Sequence, residues 1–314
     1  MNPRHRKWLM FGVLTAVYGW GSWVLADRYL HPNVPPAPLP AKSMVIELPP
    51  TQSPAWVTPG LAAGNPKGDV VFVFAHGYGG HRAFWGALFA PLEWNGYECI
   101  APSMPGHDGS PIRQCGFGAT EAEIVLDAVR WARARYRDRQ PTVVAVGVSL
   151  GGAAVWLASE MAPELIDAVA TEAAFAHLKP AVHRYLNATI PMGSILLWPV
   201  PHLTIRRGQV PIDDIDPERA ARAWRGRPAL IIHDANDRIF DRSHAERLAA
   251  ASGGELWEVA MADHASAQVY DADGYVRRLI RLAESARSND ARQDVDHAGL
   301  NVGGLDGKSD EPRS

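Results

Sequence analysis

Cysteine is scarce. Two residues of that type, Cys99 and Cys115, among 314 are too few for a disulfide scaffold. Whether they pair is open from sequence. An excess of one charge sign is also missing: 31 basic residues face 34 acidic ones, for a net charge of −3. No basic stripe interleaved with aromatics runs through the chain, so nucleic acid is not an expected partner. Internal repeats are absent, which excludes solenoids and propellers. His76 and His81 have no third ligand beside them in sequence, so a metal site is not expected there.

What is present is ordinary for a folded body: 47% apolar and 21% charged residues. One long apolar run stands at the start. After Arg4, Arg6 and Lys7 come nineteen uncharged residues, Trp8 to Ala26. As a helix this run spans about 28 Å, close to the hydrocarbon thickness of a bilayer. Trp8, Trp20 and Trp23 suit interfacial positions, and the basic flank predicts an N-terminus inside with the rest outside. Residues 1–27 therefore read as a signal-anchor outside the fold. The alternative is a cleaved signal peptide, with Val24 and Ala26 as small residues before a cut. Either reading places the domain on the extracytoplasmic side.

Residues 28–42 hold "HPNVPPAPLP", with five prolines in ten positions, and read as a semi-rigid spacer. Residues 289–314 carry six acidic and three basic residues with almost no large apolar ones, and read as a disordered tail. The folded body is expected over 43–288.

Within it, short apolar runs alternate with amphipathic ones. "VVFVFA" (70–75), "YECIA" (97–101), "TVVAV" (142–146), "DAVATEA" (167–173), "ALIIH" (229–233) and "LWEVA" (256–260) read as strands covered on both faces. "MVIEL" and "PAWVT" read as antiparallel edge strands. The clearest helix starts at Thr120, with Glu123 completing a capping box and Ile124, Val125, Ala128, Trp131 and Ala132 on one face. The pattern predicts an α/β fold, a mostly parallel sheet flanked by helices. About fifty residues, 175–225, break the rhythm and carry "TIPMGSILLWPVPHL" (189–203). Such an insertion reads as a cap over a site.

In "GVSLG", Ser149 ends a strand and a helix begins at once. A turn sharp enough to lift a serine out of the sheet favours glycine at −2 and +2, here Gly147 and Gly151. A serine hydroxyl needs an adjacent base, itself oriented by a third group. Later strand ends supply candidates: Asp237 after 229–233 and His264 after 256–260. Asp234 and Asp263 compete with Asp237 for the acid role.

With these residues the chain resembles the α/β-hydrolase superfamily over roughly 43–288, in its lipase, esterase and monoglyceride-lipase-like branch. "HGYGG" after the strand 70–75 is similar to the family's oxyanion loop. The resemblance implies an oxyanion hole from the backbone N–H groups of Tyr78 and Leu150, with His76 and Gly77 shaping the loop. "MPGHDGS" (104–110) is similar to the family's P-G-H-G-x-S loop but carries Asp108 where the pattern has glycine. The implied activity is serine hydrolysis of carboxylic esters through an acyl-enzyme, without metal or organic cofactor. A small-molecule or lipid ester is the expected substrate, since the cap carries Ile195, Leu196, Leu197 and Trp198. Thioesterases, acyltransferases and peptidases use the same triad, and a non-catalytic exported binding module is the alternative from another class.

Overall fold

The computed structural model describes residues 2–40, 43–58, 60 and 70–302, with side chains as far as 288. The chain opens on α1 (Pro3–Leu30), then β1 (Met44–Leu48) and β2 (Ser53–Val57), followed by β3 (Val70–Ala75). A 3-10 turn (Arg82–Trp85) leads into α2 (Gly86–Trp94), β4 (Glu98–Pro102), α3 (Ala119–Arg135) and β5 (Thr142–Val148). Next come α4 (Leu150–Met161), β6 (Ala168–Glu172), α5 (Leu178–Thr189), α6 (Gly193–Leu196), α7 (Pro199–Gly208) and α8 (Pro217–Ala223). The chain closes with β7 (Ala229–Asp234), α9 (Arg242–Ser252), β8 (Glu255–Val259), α10 (Ala267–Tyr270) and α11 (Ala272–Val302).

The strands form one sheet in the order β1-β2-β4-β3-β5-β6-β7-β8. β1 and β2 are antiparallel additions; β4 through β8 are parallel. Every residue of β3, β5 and β6 is buried, as expected of strands with helices on both faces. Alternate side chains feed two cores. Val71, Val73 and Val143 pack with α3 and α4 on one face; Phe72, Phe74 and Val144 pack with α2 and α11 on the other. Cys115 lies in the first core and Cys99 in the second; both are free thiols.

Five expectations are corrected. First, α1 does not stand apart from the fold. Ser22, Ala26 and Leu30 are buried, and Val200, Thr204 and Gly208 are buried at the same i, i+4, i+8 spacing on α7, which packs against them. Second, the proline-rich stretch is docked along 104–115 rather than free. Val34 N–H donates to the Gly106 carbonyl, Asp108 N–H to that of Val34, and Cys115 N–H to that of Leu30. Extended proline backbone keeps its carbonyls available for such contacts. Third, α3 begins at Ala119, and the reaching carboxylate is Glu121, which accepts from Gly116 and Gly118 N–H; Glu123 is exposed. Fourth, α8 belongs to the body, because Ala220, Ala221 and Trp224 are buried and α8 packs on α4 and α9. Fifth, α11 runs on to Val302 rather than giving way to an unstructured tail at 289; the stretch from 289 to 302 has no proline, and its one glycine is Gly299. Residues 41–42 of the spacer and 303–314 of the tail lie outside the described residues.

Candidate active site

Parallel strands end on one edge of the sheet, and the loops leaving that edge gather the candidate residues. Ser149 follows β5 with φ +53° and ψ −118°, a conformation disfavoured for any side-chain-bearing residue. The turn is held where it is by close packing. A Cβ on Gly147 would lie 2.3 Å from the Gly151 carbonyl oxygen, and one on Gly151 would lie 2.2 Å from that of Ala75. Only glycine fits at either side of the serine.

His264 follows β8, and Asp237 follows β7. The His264 Nδ1–H donates to Asp237 Oδ2 at 2.7 Å, and the Ser149 hydroxyl lies 3.0 Å from His264 Nε2. The first contact fixes the tautomer, leaving Nε2 to accept from the serine. Asp237 Oδ1 in turn accepts from Ile239 N–H at 2.7 Å and Phe240 N–H at 2.9 Å, so the carboxylate is anchored at both oxygens. The Phe240 ring stands edge-on to the imidazole, 5.3 Å away. Of the competing acids, Asp234 points elsewhere, accepting from Ala265 N–H at 2.7 Å.

The loop after β3 lies against the serine: a Cβ on Gly77 would be 3.2 Å from that of Ser149. Two histidines brace it. His76 Nδ1–H donates to the Gly77 carbonyl, and Nε2 accepts from Met104 N–H. His107 accepts from Gly79 N–H at 2.8 Å and donates to the Pro105 carbonyl. Both rings must be neutral to accept at Nε2. Burial, then the neighbouring His107, pushes the His76 pKa down to about 3. Burial likewise lowers that of His107. His81 and His76 do not share a third ligand, and among the described residues no three His, Cys, Asp or Glu side chains converge on one point.

Asp108, the departure from the glycine pattern, adopts φ +50°, so the backbone keeps the conformation glycine would supply. Its buried carboxylate pairs with buried Arg82 (Nε to Oδ2, 2.7 Å) and accepts from Arg82 and Ala37 N–H. Arg82 also stacks over Trp56 at 4.7 Å. His107, Arg82 and the part played by Asp108 were not read from sequence. The histidine stood in the quoted "MPGHDGS", but nothing local revealed its partner 28 residues back.

A cavity of about 320 Å³ opens beside Ser149 and His264. Its walls are almost wholly apolar: Phe117, Leu178, Val182, Leu186, Val200, Ile205, Val210 and Ile239, with the rings of Tyr78 and Tyr185. Tyr29, from the last turn of α1, is also a wall. Its ring lies 6.2 Å from those of Tyr78 and Tyr185, and the Tyr78 hydroxyl reaches the Tyr29 carbonyl at 3.3 Å.

The sequence profile described as the alpha/beta hydrolase fold matches residues 70–193. Two curated rice proteins, from Oryza sativa subsp. indica and subsp. japonica and both named "Probable esterase PIR7A", are 33% identical over 121 residues. That is 38% of this chain, and the match spans only 43% of their length. Among solved structures, the Pyrococcus furiosus esterase Pf2001 superposes with a TM-score of 0.62 at 15% identity, over 80% of this chain and 98% of that one. The 2-hydroxy-6-oxo-6-phenylhexa-2,4-dienoate hydrolase of Rhodococcus sp. strain RHA1 gives 0.56 at 19% identity, over 76% and 99%.

Proposed function

We propose that this chain, whose fold is that of the α/β hydrolases, is a membrane-held serine hydrolase that cleaves apolar carboxylic esters. The observation that carries this reading is the unbroken hydrogen-bonded line from Ser149 through His264 to Asp237. It ends at the mouth of an apolar cavity. Ser149 Oγ attacks the ester carbonyl while His264 Nε2 takes its proton. Asp237 holds the imidazole in the required tautomer and stabilises the imidazolium. The backbone N–H groups of Tyr78 and Leu150 receive the developing oxyanion, and each preorganised donor of this kind lowers the barrier by about 3 kcal/mol. The imidazolium then returns its proton to the departing alcohol. Water, deprotonated by His264, releases the acid and restores the serine.

The cavity supports an acyl chain of some length, because it offers almost no polar partner beyond the reacting centre. The uncharged run of α1 supports an anchor in the bilayer, and Arg4, Arg6 and Lys7 before it support an outward-facing domain. A fluorescent fluorophosphonate is the test. The wild type in detergent is expected to label, and Ser149→Ala to stay dark with esterase turnover reduced about 10⁴-fold or more. A wild type that neither labels nor turns over any ester would end this reading.

A further inference from the structure

The course of α1 along the cap sets how deep the cap must sit if that helix enters a bilayer. α1 and α7 run in parallel. Gly208 meets Leu30, with a Cβ on Gly208 falling 2.4 Å from a Leu30 methyl, and Arg207 donates to the Trp23 carbonyl at 3.0 Å. Before α7, the Tyr18 hydroxyl donates to the Leu196 carbonyl of α6 at 2.7 Å. Residues 18–30 are therefore flanked by the cap, and only the part before Tyr18 projects beyond it. From Trp8 to Tyr18 a helix rises about 15 Å, half of the roughly 30 Å hydrocarbon layer. For Trp8–Ala26 to fill that layer, the α6 edge must enter it by about 12 Å, the rise from Tyr18 to Ala26.

The composition of that edge suits such immersion. Seventeen consecutive residues, Thr189 to Ile205, include no Asp, Glu, Lys or Arg. Met192, Ile195 and Trp198 are 62%, 64% and 60% exposed, an apolar face that none of the described residues covers. Charge returns at one level on both helices. Asp27 and Arg28 end the uncharged run of α1, while Arg206 and Arg207 end that of α7. Arg207 pairs with Asp27 at 2.6 Å and lies over the Trp23 ring at 4.1 Å. That arrangement is what a water–hydrocarbon boundary selects.

We infer that α1 and the α6–α7 edge of the cap enter the near leaflet as one unit, bounded at the Asp27–Arg207 pair, and that the substrate is a lipid ester drawn from that leaflet. The inference rests on the serine-esterase reading for its chemistry and on α1 as an anchor for its depth. This edge of the cap then has two functions: Met192, Ile195 and Trp198 face lipid, and Val200 and Ile205 wall the cavity.

The test uses the full chain in phosphatidylcholine vesicles doped with a lipid bearing a mid-chain diazirine. After photolysis, adducts are expected in peptides covering 190–198 as well as 8–17. Adducts confined to 8–17 would overturn the inference. So would chain-to-chain cross-links formed when photo-leucine replaces exposed Leu196, which would make the same face a dimer contact. In parallel, the double variant Ile195→Glu with Trp198→Glu is expected to lose at least 10-fold on a long-chain acylglycerol held in the vesicles. A water-soluble butyrate ester should stay within 2-fold. Undiminished vesicle turnover would also overturn it, and if both substrates fall alike the adduct map alone decides. A wild type inactive on both esters would sink the esterase reading, while the adduct map would still report immersion.

Discussion

Ser149, His264 and Asp237 are tied to one another by two hydrogen bonds, but the loop that carries His264 is held by other side chains. Glu172, at the end of β6, accepts from Ala267 N–H at 2.9 Å, and its own carbonyl accepts from Ser149 N–H at 2.8 Å. Asp234, at the end of β7, accepts from Ala265 N–H at 2.7 Å. Both carboxyl groups are fully buried. Burial first, then the Asp234 carboxylate, drives the Glu172 pKa well above the usual carboxylate range, so the native state keeps a proton that the unfolded chain releases. A folded pKa raised in this way costs stability as pH climbs from the ordinary glutamate value, about 4.3, through the raised one. Glu172→Gln preserves an acceptor for Ala267 N–H and cannot ionise. It is expected to unfold at about the wild-type temperature at pH 4.5 and several degrees above it at pH 9. Scanning fluorimetry in detergent at the two pH values measures this, and a variant that melts lower at both would show that the carboxylate is wanted in its charged form.

At the scale of elements, the sheet and the strand ends that bring Ser149, Asp237 and His264 together were largely legible, because each strand and the turn that closes it is a short-range pattern. The six parallel and two antiparallel strand runs are apolar stretches closed by turns, and the elbow's two glycines sit where a Cβ would strike backbone. What stayed hidden were pairings between segments far apart in sequence. "HPNVPPAPLP" reads as extended, yet composition does not say that 104–115 lies beside it. Asp108 looked like a blemish in a glycine pattern. In the structure it ties three segments together: the 3-10 turn through Arg82, the 104–110 loop that it sits in, and the proline stretch through Ala37. Asp108→Gly restores the pattern and relaxes the positive φ, but leaves Arg82 buried without its partner. Breaking a buried pair costs about 3–5 kcal/mol, and relief of the backbone returns roughly 1 kcal/mol of it. The expected outcome in a domain this size is a fall in melting temperature of roughly 5–15 °C. No change, or a rise, would mean that Arg82 finds water and that the link is dispensable.

At the scale of the molecule, the question is whether the N-terminal helix is an attachment or a part of the folded body. Composition separates it cleanly from the body, which is why sequence alone set its boundary at 27. Packing draws the line elsewhere. Leu30 and Ala26 are as buried as the sheet, and Tyr29 stands in the cavity wall. Of the two small residues that resembled a signal-peptidase site, Val24 and Ala26, the alanine has a packing reason to be small, because α7 lies against it. Two truncations divide the helix at the point where the cap begins to flank it. A chain starting at Gly19 retains the whole α1–α7 contact and is expected to melt within about 3 °C of the full chain, with the same soluble-ester KM. A chain starting at His31 loses Leu30, whose burial is worth about 2–3 kcal/mol, and strips the acceptor from Cys115 N–H, about 1–3 kcal/mol more. It is expected to melt at least 5 °C lower and to show a raised KM for esters long enough to reach Tyr29. Were the two truncations to behave alike, the last turns of α1 would be a tether after all. If they differ, the last turns of α1 belong to the body, and cleavage after Ala26 would strip Ser22, Trp23 and Ala26 from the α7 contact that backs the Tyr29 wall.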